Sequence, residues 1–268
     1  ASIWLSKSIE GYNQWTYDLL AEAAIKKVQG PAMSRTSIFR TLSQIELKPH
    51  KTQMWLHSKD TDFKQKTNDI VSLYIDPPRD AVVLCVDEKT GIQANQRKYE
   101  TKLAIPGRPT RYEYEYIRHG TQSLLASFNI KTGEVISECS DSRKADDLIA
   151  FMDTVADHHK DEEKIIIIWD NLNIHYDGPS SRWTEFNKRH GNKFEFHYTP
   201  LHASWVNQIE IFFSILQKRC LRHGNFYSIK DLRANLLAFI RRWNIKDGHP
   251  FNWTFKGYPI QSKQMEAA

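Results

Sequence analysis

The sequence predicts a mixed α/β sheet with helices on its faces, preceded by a small helical region, and three observations carry that expectation. Two short runs, Val82-Val83-Leu84-Cys85-Val86 and Ile165-Ile166-Ile167-Ile168-Trp169, have the continuous apolar character of strands buried on both faces. Segments of helical period lie between the apolar runs, as crossovers between neighbouring strands require. The change from helical to strand period falls just after Pro77-Pro78-Arg79-Asp80, where a helix must stop.

Taken in order, residues 1–58 read as two short helices. Trp15, Leu19, Leu20 and Ala23 recur at helical spacing as far as Ile25, and Gly30-Pro31 breaks the pattern. Ser34, a good N-cap, opens a second helix that carries Ile38, Leu42 and Ile45 inward and ends before Pro49. Two helices around a tight break make a helix-turn-helix pattern. Its second helix exposes Arg35, Thr36, Ser37, Arg40 and Thr41 to phosphates and base edges, with Lys51 as a further contact just beyond. Any small helical subdomain has the same pattern, so the signal is weak by itself.

Residues 59–80 hold a linker helix from Thr61 to about Tyr74, with Phe63, Thr67, Ile70, Val71 and Tyr74 on one side. Residues 81–268 form the larger domain, whose first strand, 82–86, ends in Asp87. Residues 124–130 and 134–138 flank Lys131-Thr132-Gly133 as a hairpin. A helix with Leu148, Ile149, Met152 and Val155 leads to the strand 165–169, which ends in Asp170-Asn171. A helix over 183–190 precedes the strand 194–198, closed by Thr199-Pro200. The last strong element is a helix from about Ser204 to Leu221, with Val206, Ile209, Phe213, Leu216 and Cys220 as its apolar stripe. Trp169 and Trp205 read as core residues.

At 40% hydrophobic and 26% charged residues, the 268-residue chain is not globally disordered. Its longest apolar run, 81–86, falls far short of the roughly 20 residues that span a bilayer, so no membrane partner is expected. Cys85, Cys139 and Cys220 lie far apart, which points to a reducing compartment without disulfides or a zinc site. The net charge of +5 is unevenly spread. Lys and Arg number 11 against 9 Asp and Glu over residues 1–80, 16 against 20 over 81–210, and 10 against 3 over 211–268. A basic tail behind an acidic centre suits a polyanion held beside a carboxylate-rich site, and ordinary surface variation produces the same arithmetic.

The chemistry is carried by three acids. Asp87 and Asp170 each follow a buried strand, at the edge where open α/β sheets bind ligands. On neighbouring strands their carboxylates converge and repel unless a divalent cation lies between them. Glu210 sits beside the apolar stripe of the last helix, and Asn207, three residues earlier, shares its face. Taken singly, each acid is equally at home on a solvated surface. Together, in these contexts, they mark a site.

The strings Val86-Asp87-Glu88-Lys89-Thr90-Gly91-Ile92-Gln93-Ala94, Trp169-Asp170-Asn171-Leu172-Asn173-Ile174-His175 and Thr199-Pro200-Leu201-His202-Ala203-Ser204-Trp205-Val206-Asn207-Gln208-Ile209-Glu210 resemble the three signature blocks of DDE transposases of the mariner-like superfamily, in particular its bacterial insertion-sequence branch. The resemblance covers residues 81–245, and Lys48-Pro49-His50 and Trp55-Leu56 resemble the DNA-binding part of the same proteins. It departs in spacing. The 39 residues between Asp170 and Glu210 exceed the family's commonest interval, the surplus falling between Asp177 and Asn192.

The resemblance implies an RNase H-like fold, a metal-binding and catalytic triad of Asp87, Asp170 and Glu210, and two Mg²⁺ or Mn²⁺ ions per active site. It also implies double-stranded DNA as partner, both transposon ends and target, cleavage followed by strand transfer, and a cytoplasmic, nucleoid-associated bacterial protein. Two other readings remain open: another RNase H-like nuclease such as a junction resolvase, and a transposase-derived DNA-binding regulator without catalysis.

Residues 95–120 mix Arg97, Lys98, Lys102, Arg108, Arg111 and Arg118 with Tyr99, Tyr112, Tyr114 and Tyr116, a composition suited to phosphate contact and stacking. An extended surface segment or edge hairpin fits it equally. In the transposases that the chain resembles, a loop here clamps a partner subunit, and a homodimer is expected because two DNA ends need two active sites. Lys218, Arg219 and Arg222 on the basic tail are further DNA-contact candidates. Asn171, His175, His202 and Asn207 are candidates for supporting the acids from behind, each with an ordinary structural role as its alternative.

Overall fold

The structure is a computed structural model that describes residues 8–28, 33–45, 48, 58–141 and 144–259. The chain divides into two compact units, Ala1–His57 and Ser58–Ala268. In the smaller unit, α1 (Tyr17–Val28) and α2 (Arg35–Gln44) pack through Trp15, Leu20, Ala24, Ile38 and Leu42. Ser34 caps α2 as expected, its hydroxyl accepting from the Ser37 N–H at 3.1 Å. Ile45, expected inward, is half exposed, because α2 stops at Gln44 and the stripe ends with it. The Gly30-Pro31 break, Lys51 and the Trp55-Leu56 stretch lie outside the described residues.

The larger unit is built on a five-stranded sheet in the order β3-β2-β1-β4-β5. The strands are β1 (Ala81–Arg97), β2 (Tyr116–Asn129), β3 (Val135–Ser140), β4 (Lys164–Trp169) and β5 (Phe194–Tyr198). β1, β2 and β3 form an antiparallel meander, whereas β4 and β5 run parallel to β1, which makes the sheet mixed as the sequence predicts. The β2–β3 connection turns at Gly133, whose φ of 76° favours a residue without a Cβ.

Alternation along β1 sends its side chains into two cores. Val83 and Cys85 face a layer that includes Ile70 of α3 (Phe63–Ile75), Phe212 and Leu216 of α6 (Ile209–Leu216), and Leu232 and Leu236 of α7 (Ile229–Arg242). Val82, Leu84 and Val86 face Phe151 and Met152 of α4 (Ala145–His158) and Trp183 and Phe186 of α5 (Arg182–Arg189). Strands covered on both faces need apolar residues at every position, which is why the run 82–86 shows no alternation. No helix among the described residues is long and apolar enough to cross a membrane.

Four expectations need correction. The first strand does not end at Asp87 but continues to Arg97, paired with β2 as far as Arg97↔Tyr116 across two register shifts. Its distal half hid in the sequence because a hairpin arm that leaves the core needs no apolar run. Residues 95–120 are therefore the outer part of that arm, with bridges Lys102↔Arg111 and Ile105↔Arg108 near the tip. The helix expected over 204–221 is three pieces: a 3₁₀ turn at Ser204–Val206, α6, and a π-helical turn at Gln217–Leu221. Asn207 separates the first two with an extended backbone (φ −77°, ψ 115°). Trp205, read as core, is half exposed on the 3₁₀ turn and touches Phe255, whereas Trp169 is fully buried. α3, read as a linker, packs within the larger unit, burying Thr67, Ile70 and Val71, and the Tyr74 hydroxyl donates to the Val206 carbonyl at 2.9 Å.

Candidate active site

The parallel ladder between β1 and β4 ends at the pair Cys85↔Ile168. Asp87 and Asp170 each lie two residues beyond it, so equal register and equal parity put both on the face that α6 covers. Glu210 enters from the first turn of α6, next to the buried Ile209. The three acids share an open cavity of about 370 Å³, completed by Glu88, Lys89, Thr90, Ser204 and Phe213. The sequence places Asp87, Asp170 and Glu210 together, and the structure brings them together.

Burial first, and then their neighbours, set their ionisation. Burial, and then the neighbouring Asp170, Glu88 and Glu210, push the Asp87 carboxyl up to about 8, against a 2.8 Å hydrogen bond from the Glu88 N–H. Burial also lifts Glu210, aided by Asp170 and opposed by Lys89. Asp170 goes the other way. Burial works to raise it, but His175 and the Leu172 N–H outweigh that and hold it below the ordinary carboxylate range. His175 resists its charged form through burial, yet its contacts to Asp170 and Glu88 bring it up to about 9. An acid cluster in which burial, aided by neighbouring carboxylates, raises Asp87 and Glu210 is a site in want of positive charge.

Three carboxylates supply hard oxygen donors, the set that Mg²⁺ and Mn²⁺ prefer, and the raised Asp87 is the observation that fits such an ion. Among the described residues, no three His, Cys, Asp or Glu side chains are gathered closely enough to hold a metal ion as they stand. Asp170 is turned in part toward His175, whose Nδ1 lies 2.8 Å from its Oδ1.

The surrounding candidates separate into roles. Asn171 does not reach the acids; its amide donates to the Thr199 carbonyl and its oxygen accepts from the Tyr176 hydroxyl at 2.6 Å. His202 is exposed on a turn with φ 61°, outside the cavity lining. Asn207, expected beside Glu210 on one helix face, instead precedes the helix and is fully buried. Arg35, Thr36, Ser37, Arg40 and Thr41 are all exposed on α2, with Arg35 3.5 Å from Asp18. On the hairpin arm, Arg97 donates to the Glu113 carbonyl and lies over the Tyr112 ring, Lys98 pairs with Glu115 at 2.8 Å, and Arg111 is exposed.

Lys218, Arg219 and Arg222 are exposed around the π-helical turn. Lys218 and Arg222 line a second cavity of about 510 Å³ that shares Lys89, Glu210 and Phe213 with the first. Lys89 stands 5.9 Å from the Phe213 ring centroid. Sequence reasoning singled out neither Lys89 nor Glu88 as a site residue, although both sit inside the first signature string.

A family model described as DDE superfamily endonuclease matches residues 82–233, more than half of the chain and all three acids. The chain belongs to this family. Comparison with solved structures places a Mos1 transposase paired-end complex with left transposon end at a TM-score of 0.53 and 13% identity, covering 88% of this chain and 74% of the other. A mariner Mos1 paired-end complex with Mg aligns at 0.51 and 13% identity, covering 92% and 83%. No curated protein sequence matches. At this identity the likeness is one of fold, and the mixed sheet of this DDE endonuclease with its flanking helices is the RNase H-like fold that the resemblance implies.

Proposed function

We propose that the chain is a DNA transposase of the mariner-like superfamily, in its bacterial insertion-sequence branch, that binds terminal inverted repeats and performs metal-dependent cleavage and strand transfer as a homodimer. The observation that carries the proposal is the convergence of Asp87, Asp170 and Glu210 in one cavity at the sheet edge of a DDE endonuclease.

Asp87, Asp170 and Glu210 are the residues that would hold two Mg²⁺ or Mn²⁺ ions. Held there, such ions would supply the Lewis acidity that activates a water or 3′-hydroxyl and offsets charge on the leaving oxygen of a phosphodiester. The chain does the rest. Lys89, Lys218 and Arg222 border the adjoining cavity and offer cationic contacts to the backbone entering the site. Phe213 walls the cavity between them. α2 offers its exposed polar face for reading the end sequence, and the arm beyond β1 offers tyrosines to a second subunit or its DNA. Nucleoid association follows from DNA as the partner.

The test is cleavage of duplex DNA carrying the terminal inverted repeats that flank the coding segment. Cuts at the repeat end with Mg²⁺, abolished by EDTA, support the proposal. Binding without cutting makes the chain a regulator, and a preference for branched DNA makes it a resolvase.

A further inference from the structure

Beside the triad lies a buried pair of side chains, Glu88 and His175, whose contact the mechanism above leaves unused; Glu88 also borders the cavity of the three acids. Strand alternation puts Glu88 on the side of Leu84 and Val86, against the core that holds Trp169 and Trp183, while Asp87 faces α6. The Glu88 side chain is 5% exposed and that of His175 fully buried, with the His175 Nε2 3.5 Å from the Glu88 Oε2. That is ion-pair range rather than a hydrogen bond, and among the described residues neither atom has another partner. A buried carboxylate and imidazole left in this state carry a desolvation cost that a surface loop would avoid.

The imidazole has little freedom. It stacks on the Trp169 ring at 4.8 Å and 5°. Its 3₁₀ turn, Asn173–His175, is pinned from two sides: the Trp183 Nε1–H donates to the Ile174 carbonyl at 3.0 Å, and the Tyr198 hydroxyl donates to the His175 carbonyl at 2.8 Å. Its Nδ1 lies 2.8 Å from the Asp170 Oδ1 and 3.0 Å from the Asp170 carbonyl oxygen. The Leu172 N–H also falls on Oδ1, at 2.9 Å. Both nitrogens therefore lie against one carboxylate oxygen, the ring N–H being shared with the Asp170 carbonyl, and Oδ2 is left without either contact.

We infer that His175 is a positioning residue that clamps the Asp170 carboxylate for metal capture, and that Glu88 acts through His175 by holding the imidazole rather than as a ligand of its own. The inference rests on the reading of Asp170 as a metal ligand. A support of this kind typically accounts for about 10–100-fold in metal affinity when it is removed.

The experiment is Mn²⁺ binding by the full chain, followed by electron paramagnetic resonance without DNA. His175→Ala is expected to weaken Mn²⁺ binding about 10–100-fold, and His175→Asn, whose side-chain amide replaces the Nδ1 donor, to recover most of it. Glu88→Gln is expected to weaken binding less than His175→Ala does. In the double variant it should add nothing, because it works through the same side chain. Wild-type affinity in both His175 variants overturns the clamp, and additivity of Glu88→Gln with His175→Ala overturns the role given to Glu88. Asp170→Asn separates this from the underlying reading: unchanged affinity there removes Asp170 as a ligand, whereas weakened affinity there beside unchanged His175 variants removes only the clamp.

Discussion

The Asn207 side-chain amide donates to the Val86 carbonyl at 3.1 Å, linking the residue before Asp87 to the residue that opens the way into α6. Its oxygen accepts from the Ile209 N–H at 3.4 Å, so one buried side chain spans the strand that carries Asp87 and the helix that carries Glu210. Asn207→Ala strands a buried carbonyl, which costs about 1–3 kcal/mol. Denaturant unfolding should show that loss, and DNA cleavage should fall further than end binding. Unchanged stability and cleavage would deny Asn207 this role.

Asp87 makes stability depend on pH in a defined direction. Its folded carboxyl titrates at about 8 against an ordinary 3.8. The folded state therefore holds a proton that the unfolded state releases, and metal-free protein loses stability as pH rises from about 4 through 8. Asp87→Asn cannot ionise and should flatten that loss, ending more stable than the wild type at pH 8.5 by more than about 1 kcal/mol. Parallel stability profiles for the two metal-free proteins would contradict the crowded-carboxylate account.

Arg40 lies on the exposed face of α2, two residues past the buried Ile38 and two before the buried Leu42. If it reads a base edge, Arg40→Ala costs about 1–3 kcal/mol at one base position. If it meets phosphate, affinity falls evenly across sequences and the salt slope becomes shallower. Filter binding across single-base variants of the repeat tells these apart, and unchanged binding by Arg35→Ala, Thr36→Ala and Arg40→Ala combined would move recognition to another element.

The arm beyond β1 shows large apolar and aromatic side chains to solvent, including Tyr99 at 70%, Leu103 at 80% and Tyr114 at 92% exposure. Side chains of this kind on an extended hairpin fit a partner surface. Replacing residues 102–114 with a short glycine bridge should leave the remaining fold intact and remove complexes that hold two DNA ends, as read by light scattering. Pairing at wild-type efficiency would reduce the arm to ordinary surface.

Much of this architecture was legible in the sequence because buried parallel strands cannot hide. The runs 82–86 and 165–169 announce β1 and β4, and the aspartates that follow the two runs line one cavity. Ser34 and its stripe announce α2. What escaped is what packing decides. The distal half of β1 has no core to face, and the break at Asn207 is set by a hydrogen bond to Val86, 121 positions away in the chain. The contact of Glu88 with His175 arises from strand parity and a 3₁₀ turn, neither of which spacing alone reveals.

In the proposed function, Asp87, Asp170 and Glu210 act as one metal-dependent DNA-cutting centre while recognition lies elsewhere. The most direct test measures both properties on the same preparations: single-turnover cleavage of inverted-repeat DNA in Mg²⁺, and end binding in EDTA, for the wild type and for Asp87→Asn, Asp170→Asn and Glu210→Gln. Loss of cleavage in all three variants is expected, with end binding close to wild type. Normal cutting by any one of them would contradict it.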